Sequence, residues 1–149
     1  MGTTARASSI LQRNTKQYGP LNALDTKNSS SCWNSEGTAE QKGRNEGCWF
    51  IVDFGRAVQP DEIRIQFQAG FCAETCSVYV KNGKEEWILV NDTLEFDDVH
   101  ELQTRTLQAK ELITKAIKLT FDDATDFYGR VTIYRLEVWG REEGGTKSS

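Results

Sequence analysis

The stretch Phe121-Asp122-Asp123-Ala124-Thr125-Asp126-Phe127-Tyr128-Gly129-Arg130-Val131-Thr132-Ile133-Tyr134-Arg135-Leu136-Glu137-Val138-Trp139-Gly140 decides the fold. A strand ending at Phe121 runs into an acidic, aromatic Gly-Arg loop, and a second strand follows with Val131, Ile133, Leu136, Val138 and Trp139. Ile133 and Leu136 stand three apart, whereas a strand repeats every two residues. The inward face must therefore change parity near Tyr134 and Arg135, which predicts a β-bulge there.

Working outward, the punctuation is that of an all-β chain. Cys48 to Phe54 is apolar on both faces and suits a central strand. Ile63, Ile65 and Phe67 alternate with Arg64, Gln66 and Gln68, the pattern of a half-buried strand. Val78 and Val80 lead to Asn82-Gly83 and then to Trp87–Val90, a hairpin signal. Residues 102–107 and 117–121 supply further strands, and Lys110 to Thr114 reads as one helical turn. Regular strand spacing with little helical periodicity predicts a β-sandwich or jelly roll.

The chain has 149 residues, 38% hydrophobic and 27% charged, which is the size of one domain with an adequate core. Its net charge of −4 offers no basic field for phosphate backbones, so no nucleic-acid partner is expected. No window resembles a membrane span or a secretion signal, and an intracellular chain with no membrane partner is expected. Arg6, Arg13 and Lys16 without acids give the first residues the look of a short basic arm rather than a transit peptide. Arg6 occupies the place where myristoylation wants Ser or Thr. The expected organisation is a flexible arm over residues 1–7, one domain over 8–141 and a disordered, Gly-rich tail over 142–149. The Asn34–Gly47 segment is too long for a bare connection and reads as a functional projection or a disordered insertion.

Cys32, Cys48, Cys72 and Cys76 are expected to be reduced thiols in an intracellular setting. A zinc site through Cys72 and Cys76 is the sharper alternative, weakened because the other two cysteines are not paired with each other. Two sequons, at Asn28 and Asn91, carry no meaning in the cytosol. His100 is the only histidine and follows an acidic run, so it reads as a solvated loop residue. Asp97-Asp98 and Asp122-Asp123 are loop neighbours rather than converging acids. No enzyme is expected.

Asn22 to Asp25, Cys32 to Gly37, Trp49 to Gly55 and Ile133 to Gly140 together resemble the discoidin family, also called factor V/VIII type C or galactose-binding-like domains. Ile65 to Phe71 and Phe121 to Tyr134 are most similar to its small intracellular, nuclear-receptor-associated branch. The resemblance implies an eight-stranded jelly roll whose loops at one end bind a partner. It implies a protein partner, a nuclear receptor that the chain would repress as an associated transcriptional regulator in nucleus or cytoplasm, with a glycan as the runner-up. On this topology the partner-binding candidates are Asn34, Ser35, Glu36, Phe71, Asp126, Phe127, Tyr128 and Arg130. Trp33 is expected in the core, and Phe71, Phe127 and Tyr128 either meet the partner or fold back to plug the barrel end. Arg130 is either an internal clamp on Asp126 or a grip for a partner carboxylate.

The family also places a cation, usually calcium, in the loop around Asp25. Here Asn22, Asp25, Lys27, Ser30 and Ser31 would supply the oxygens. Arg135 stands where the family has an acid, so the expectation is no cofactor, with Arg135 paired to Asp25 in place of the ion.

Overall fold

Twenty residues, Cys48–Phe67, form one continuous strand, β3, on which both layers of the fold are built. The computed structural model describes residues 2–25, 27–37, 47–109, 112–142 and 147–148. The first half of β3 pairs with β1 (Thr4–Ala7) on one side and β7 (Thr114–Ala124) on the other. Its second half pairs with β6 (Leu102–Thr106) and β8 (Thr132–Glu142). Between the halves the register to β7 shifts, from Asp53 to Val58. Gly55 turns the corner at φ +71°, a conformation that favours glycine, and its N–H donates to Asp53 Oδ1 at 2.9 Å.

The remaining strands extend the two layers. β7 continues to β4 (Ala73–Lys81) and then β5 (Trp87–Glu95), while β8 takes β2 (Trp33–Asn34) and β9 (Lys147–Ser148). All pairings are antiparallel. The result is the jelly-roll sandwich expected, with β3 belonging to both of its sheets.

Inward positions fill the space between the layers. Phe50, Val52 and Phe54 come from the first half of β3, and Ile63, Ile65 and Phe67 from the second. Val78, Ile117, Leu119, Ile133 and Leu136 complete the centre. Trp33 is fully buried there, as expected, with its ring 5.1 Å from Phe50 in an edge contact and 6.1 Å from Phe121. Its indole N–H donates to the Ser9 carbonyl at 3.0 Å, which satisfies the one polar atom the ring brings inside. The bulge is where the residue spacing placed it. Gln66 faces Arg135 and Phe67 faces Ile133, which leaves Tyr134 without an opposite residue.

Four local expectations change. Thr4–Ala7 belong to a strand paired with Phe50–Asp53, so the ordered sheet begins inside the segment expected to be a flexible arm. At the other end Glu142 is the last residue of β8 and its carboxylate is ion-paired to Arg56 at 2.6 Å, while Lys147–Ser148 pair with Gly140–Arg141. Thr114 opens β7 instead of closing a helical turn, its hydroxyl donating to Lys81 O at 2.8 Å; Lys110 and Glu111 lie outside the described residues, as does most of the Asn34–Gly47 segment, residues 38–46. Short helices instead occupy α1 (Thr15–Tyr18) and α2 (Leu21–Leu24). Asn14 Oδ1 caps α1 by accepting from Gln17 N at 3.1 Å, and Pro20 precedes α2, start signals too short-ranged to give a helical period.

The Asn82 hairpin is present, but its turn is longer than an Asn-Gly pair needs. Asn82 Oδ1 accepts from Lys84 N at 2.8 Å and Glu86 N at 2.9 Å, and Glu85 adopts the left-handed φ of +62°. Where β3 and β8 cross, Gly140 faces Pro60, and a Cβ at Gly140 would lie 2.0 Å from the Gln59 carbonyl oxygen. Both atoms are fixed by backbone pairing, so neither can give. Gly140→Ala is therefore expected to destabilise the fold by about 2 kcal/mol or more, read as a lowered urea midpoint.

Candidate functional site

Four connections meet at one end of the sandwich: residues 35–37 after β2, 68–72 between β3 and β4, 96–101 between β5 and β6, and 125–131 between β7 and β8. Hydrogen bonds tie them together. Ser35 N donates to Val131 O at 2.9 Å, and Thr132 N to Phe71 O at 3.0 Å. Cys72 N donates to Thr125 Oγ1 at 3.0 Å, and Gly70 N to Asp98 Oδ1 at 2.8 Å. The three loop segments expected to converge do so, and the 96–101 connection joins them.

The 125–131 loop is organised by one carboxylate. Asp126 Oδ2 accepts from Tyr128 N at 3.2 Å, from Arg130 N at 3.0 Å and from Arg130 Nε at 3.0 Å, while Oδ1 accepts from Arg130 Nη2 at 3.3 Å. Of the two roles open to Arg130, the geometry is that of the internal clamp. The guanidinium also lies over Phe71, 5.2 Å from the ring centroid, and over Tyr128 at 5.5 Å. Phe71 is half-buried beneath it. Phe127 and Tyr128 do not fold back: they stand 92% and 64% exposed, their rings in an edge contact at 5.2 Å.

The other side of the loop end departs further from a row of free donors and acceptors at Asn34 to Glu36. Ser35 is fully buried, its Oγ accepting from Val131 N at 2.9 Å and donating to Glu36 O at 3.0 Å. Ser35 therefore joins β2 to β8. Glu36 N donates to Ser9 Oγ at 3.0 Å, and Glu36 lines a separate cavity of about 470 Å3 with Ser8, Ser9, Ile10, Arg13 and Thr15. Asn34 Oδ1 and Thr132 Oγ1, on residues paired across β2 and β8, are buried without a hydrogen-bond partner among the described residues.

Asp98, read as a loop neighbour of Asp97, and His100, read as a solvated loop residue, belong to this end. Asp98 caps the Gly70 N–H, and the His100 ring meets Tyr134 edge-on at 5.1 Å. The signal for His100 was Tyr134 itself, since a bulged residue leaves the regular face and is available to an incoming loop.

At the expected cation loop the oxygens are engaged locally. Asp25 Oδ1 accepts from Lys27 N at 3.0 Å, and Asn28 Oδ1 from Ser30 N at 3.1 Å. Asn22 donates through Nδ2 to Lys16 O at 3.2 Å. Arg135 does not pair with Asp25. Its Nε holds Glu137, whose Oε1 takes the Trp139 indole N–H at 2.7 Å. Strand alternation explains the correction: residues 135, 137 and 139 share a face, so Arg135 reaches its own-strand acid first. Glu137, already matched by Arg135, lines a cavity of about 250 Å3 together with Asp25, Leu21 and Leu24. Among the described residues no three His, Cys, Asp or Glu side chains converge on a metal position.

The four cysteines are free thiols. Cys48 and Cys76 both stand opposite Phe121, on either side of β7, so they are two strand spacings apart, roughly 9.5 Å and beyond disulfide reach. Burial, then the charges of Asp98, Glu74 and Asp97, push the Cys72 thiol up to about 12, and burial raises Cys32 and Cys76 as well.

This jelly roll with its loop end defines a class, and the comparison with known sequences agrees: the chain belongs to the F5/8 type C domain family, matched over residues 4–136. It is 34% identical over 142 residues to the nuclear receptor 2C2-associated protein of Mus musculus, covering 95% of this chain and 94% of that one. The human protein of the same name is 34% identical over 140 residues, covering 94% and 93%. Among solved structures, an F5/8 type C domain from Bacteroides fragilis superposes with TM-score 0.78 at 15% identity, covering 95% and 93%. The family 32 CBM of NanJ from C. perfringens, in complex with galactose, superposes with TM-score 0.71 at 19% identity, covering 91% and 92%. At these identities the structural likeness shows the fold alone.

Two measurements test the site's electrostatics. Partial burial opposes the charge on Asp126, but the donors of Arg130 and Tyr128 outweigh it and hold the carboxyl below its ordinary value of 3.8. Its contribution to stability is thus complete above that value and is lost as pH falls through the lower folded value. Asp126→Asn should lower the urea midpoint near neutral pH, with the difference from wild type vanishing in strong acid. For the thiols, alkylation of the native protein at about pH 8 should leave Cys32, Cys72 and Cys76 slow to react, because the thiolate is the nucleophile. Urea should make all four react alike.

Proposed function

We propose that the chain is a non-enzymatic binding module that associates with a nuclear receptor through the loop end carrying Phe127 and Tyr128. The observation that carries the site is the pair of exposed rings, 92% and 64% accessible, on a loop whose backbone is fixed by Asp126 and Arg130. Exposing two aromatics costs solvation free energy that docking recovers, and rigid aromatic anchors are the residues that dominate interfaces. The partner class is supported by relatives that share a third of their residues with this chain across nearly its whole length and are named for association with nuclear receptor 2C2.

Repression of that receptor, in the nucleus or the cytoplasm, is the finer form of the reading. No described helix is long and apolar enough to cross a membrane. A binding rather than a catalytic role is supported by the contacts of the candidate acid-base groups: the one histidine packs against Tyr134, and the loop carboxylate Asp126 accepts from its own loop's backbone. A second reading, glycan binding, is supported by the galactose complex of a structural neighbour and by the same aromatic pair, which would suit a sugar face.

The test is capture of nuclear receptor 2C2 by the wild type and by Phe127→Ala with Tyr128→Ala, beside a glycan array. Binding should weaken by more than about 2 kcal/mol, the scale of interface hot spots. Melting temperature should hardly move, because neither ring is in the core. Undiminished capture would place the interface elsewhere, and glycan binding lost in the same variant would favour the second reading.

A further inference from the structure

The ground around the exposed rings is strongly and one-sidedly charged. Asp97 and Asp98 sit in the connection that touches Gly70 and Cys72, with Asp97 O accepting from Cys72 Sγ at 3.3 Å. Glu95, Thr75 and Asp122 form one cross-strand row at the ends of β5, β4 and β7, just before the aromatic loop. Asp123 follows, its Oδ2 accepting from Thr75 Oγ1 at 2.9 Å, and Glu74 N-terminally adjoins the same threonine. All six of these carboxylate residues are exposed, and none takes part in an ion pair among the described residues.

The cations nearby are committed elsewhere. Arg130 is held by Asp126, while Arg105 spends its guanidinium on Glu95 O at 2.9 Å, Thr104 O at 2.9 Å and Gln103 Oε1 at 3.2 Å. Lys118 lies further along the same face of β7, over the Trp49 and Trp87 rings. The negative field is felt inside: after burial, it is Asp98, Glu74 and Asp97 that raise the Cys72 thiol. Uncompensated like charges at one end of a domain destabilise it slightly and persist where an opposite charge meets them.

We propose that the surface formed by Phe127, Tyr128 and the carboxylates of Glu95, Asp97, Asp98 and Asp122 receives a lysine- or arginine-rich protein segment bearing a large apolar side chain. The inference rests on the loop-end reading above and adds the chemistry of the partner. The rings take the apolar anchor, and the carboxylates steer and orient the basic flanks. The same charge disfavours an anionic lipid surface or a nucleic acid, both of which would be repelled.

The test uses synthetic peptides of about twelve residues with a central Trp-Leu pair, flanked by lysines in one and glutamates in the other, titrated into the full chain and followed by amide NMR shifts at about 50 and 300 mM salt. The lysine peptide should bind, shifting Asp122 to Gly129 and Gly70, and should weaken several-fold at the higher salt. The glutamate peptide should not bind. The triple variant Glu95→Gln, Asp97→Asn, Asp122→Asn removes no side-chain hydrogen bond among the described residues and should keep the melting temperature while weakening the lysine peptide roughly tenfold. No binding of the lysine peptide, equal binding of both peptides, an unaffected triple variant, or preferential binding to phosphatidylserine vesicles would each overturn the inference. If receptor capture still requires Phe127 and Tyr128 while the triple variant captures normally, the partner's chemistry is wrong and the loop-end reading stands.

Discussion

The structure depends on β3 being shared by both sheets. One strand supplies Phe50, Val52 and Phe54 to one layer and Ile63, Ile65 and Phe67 to the same core from the other, so both layers take their register from a single segment of chain. A corner between them requires the backbone to leave the extended region, and Gly55 does so at φ +71°. Close approach of β8 follows at Gly140, where the Gln59 carbonyl leaves no room for a Cβ. Glycine appears at these two points for different reasons, one conformational and one steric.

From that frame the loop end inherits its rigidity. β7 and β8 belong to different layers, so the 125–131 connection must cross the end of the sandwich, and it is held there from both sides: Thr125 to Cys72, and Ser35 to Val131. Within the span Asp126 gathers two backbone N–H groups and the guanidinium of Arg130. An exposed aromatic pair on a fixed loop loses little conformational entropy on binding, which is what makes such a pair an effective anchor. The clamp and the exposed pair are thus separate parts of one loop, one built from charge and the other from ring area.

The sequence reached far into this site and then stopped at particular residues. The bulge at Tyr134 was legible because a strand has a strict period and Ile133 to Leu136 breaks it. Trp33 was legible because a large ring beside a strand has few places to go. Ser35 was misread because a buried hydroxyl bridging two strands and an exposed one at a loop mouth look the same in one dimension. Arg135 was misread because its partner was sought across space at Asp25, while Glu137 stood two residues along the same strand face. Asp98 and His100 are exposed, as loop residues were expected to be, but no local pattern in the sequence names Gly70 and Tyr134 as their neighbours.

What the sequence determined by itself is the part governed by short-range regularities: strand periodicity, the bulge, the hairpin at Asn82, the burial of alternate apolar residues and the resemblance carried by the Phe121–Gly140 stretch. Hydrophobic alternation leaves a trace at every second residue, so those features can be read without coordinates. Tertiary structure alone decided that one strand serves two sheets, that residues 4–7 are paired, which partner each arginine takes, and that Phe127 and Tyr128 face outward while Phe71 turns under Arg130. Those outcomes depend on contacts between segments far apart in the chain, where many partners are chemically acceptable and only the packing of the layers selects one.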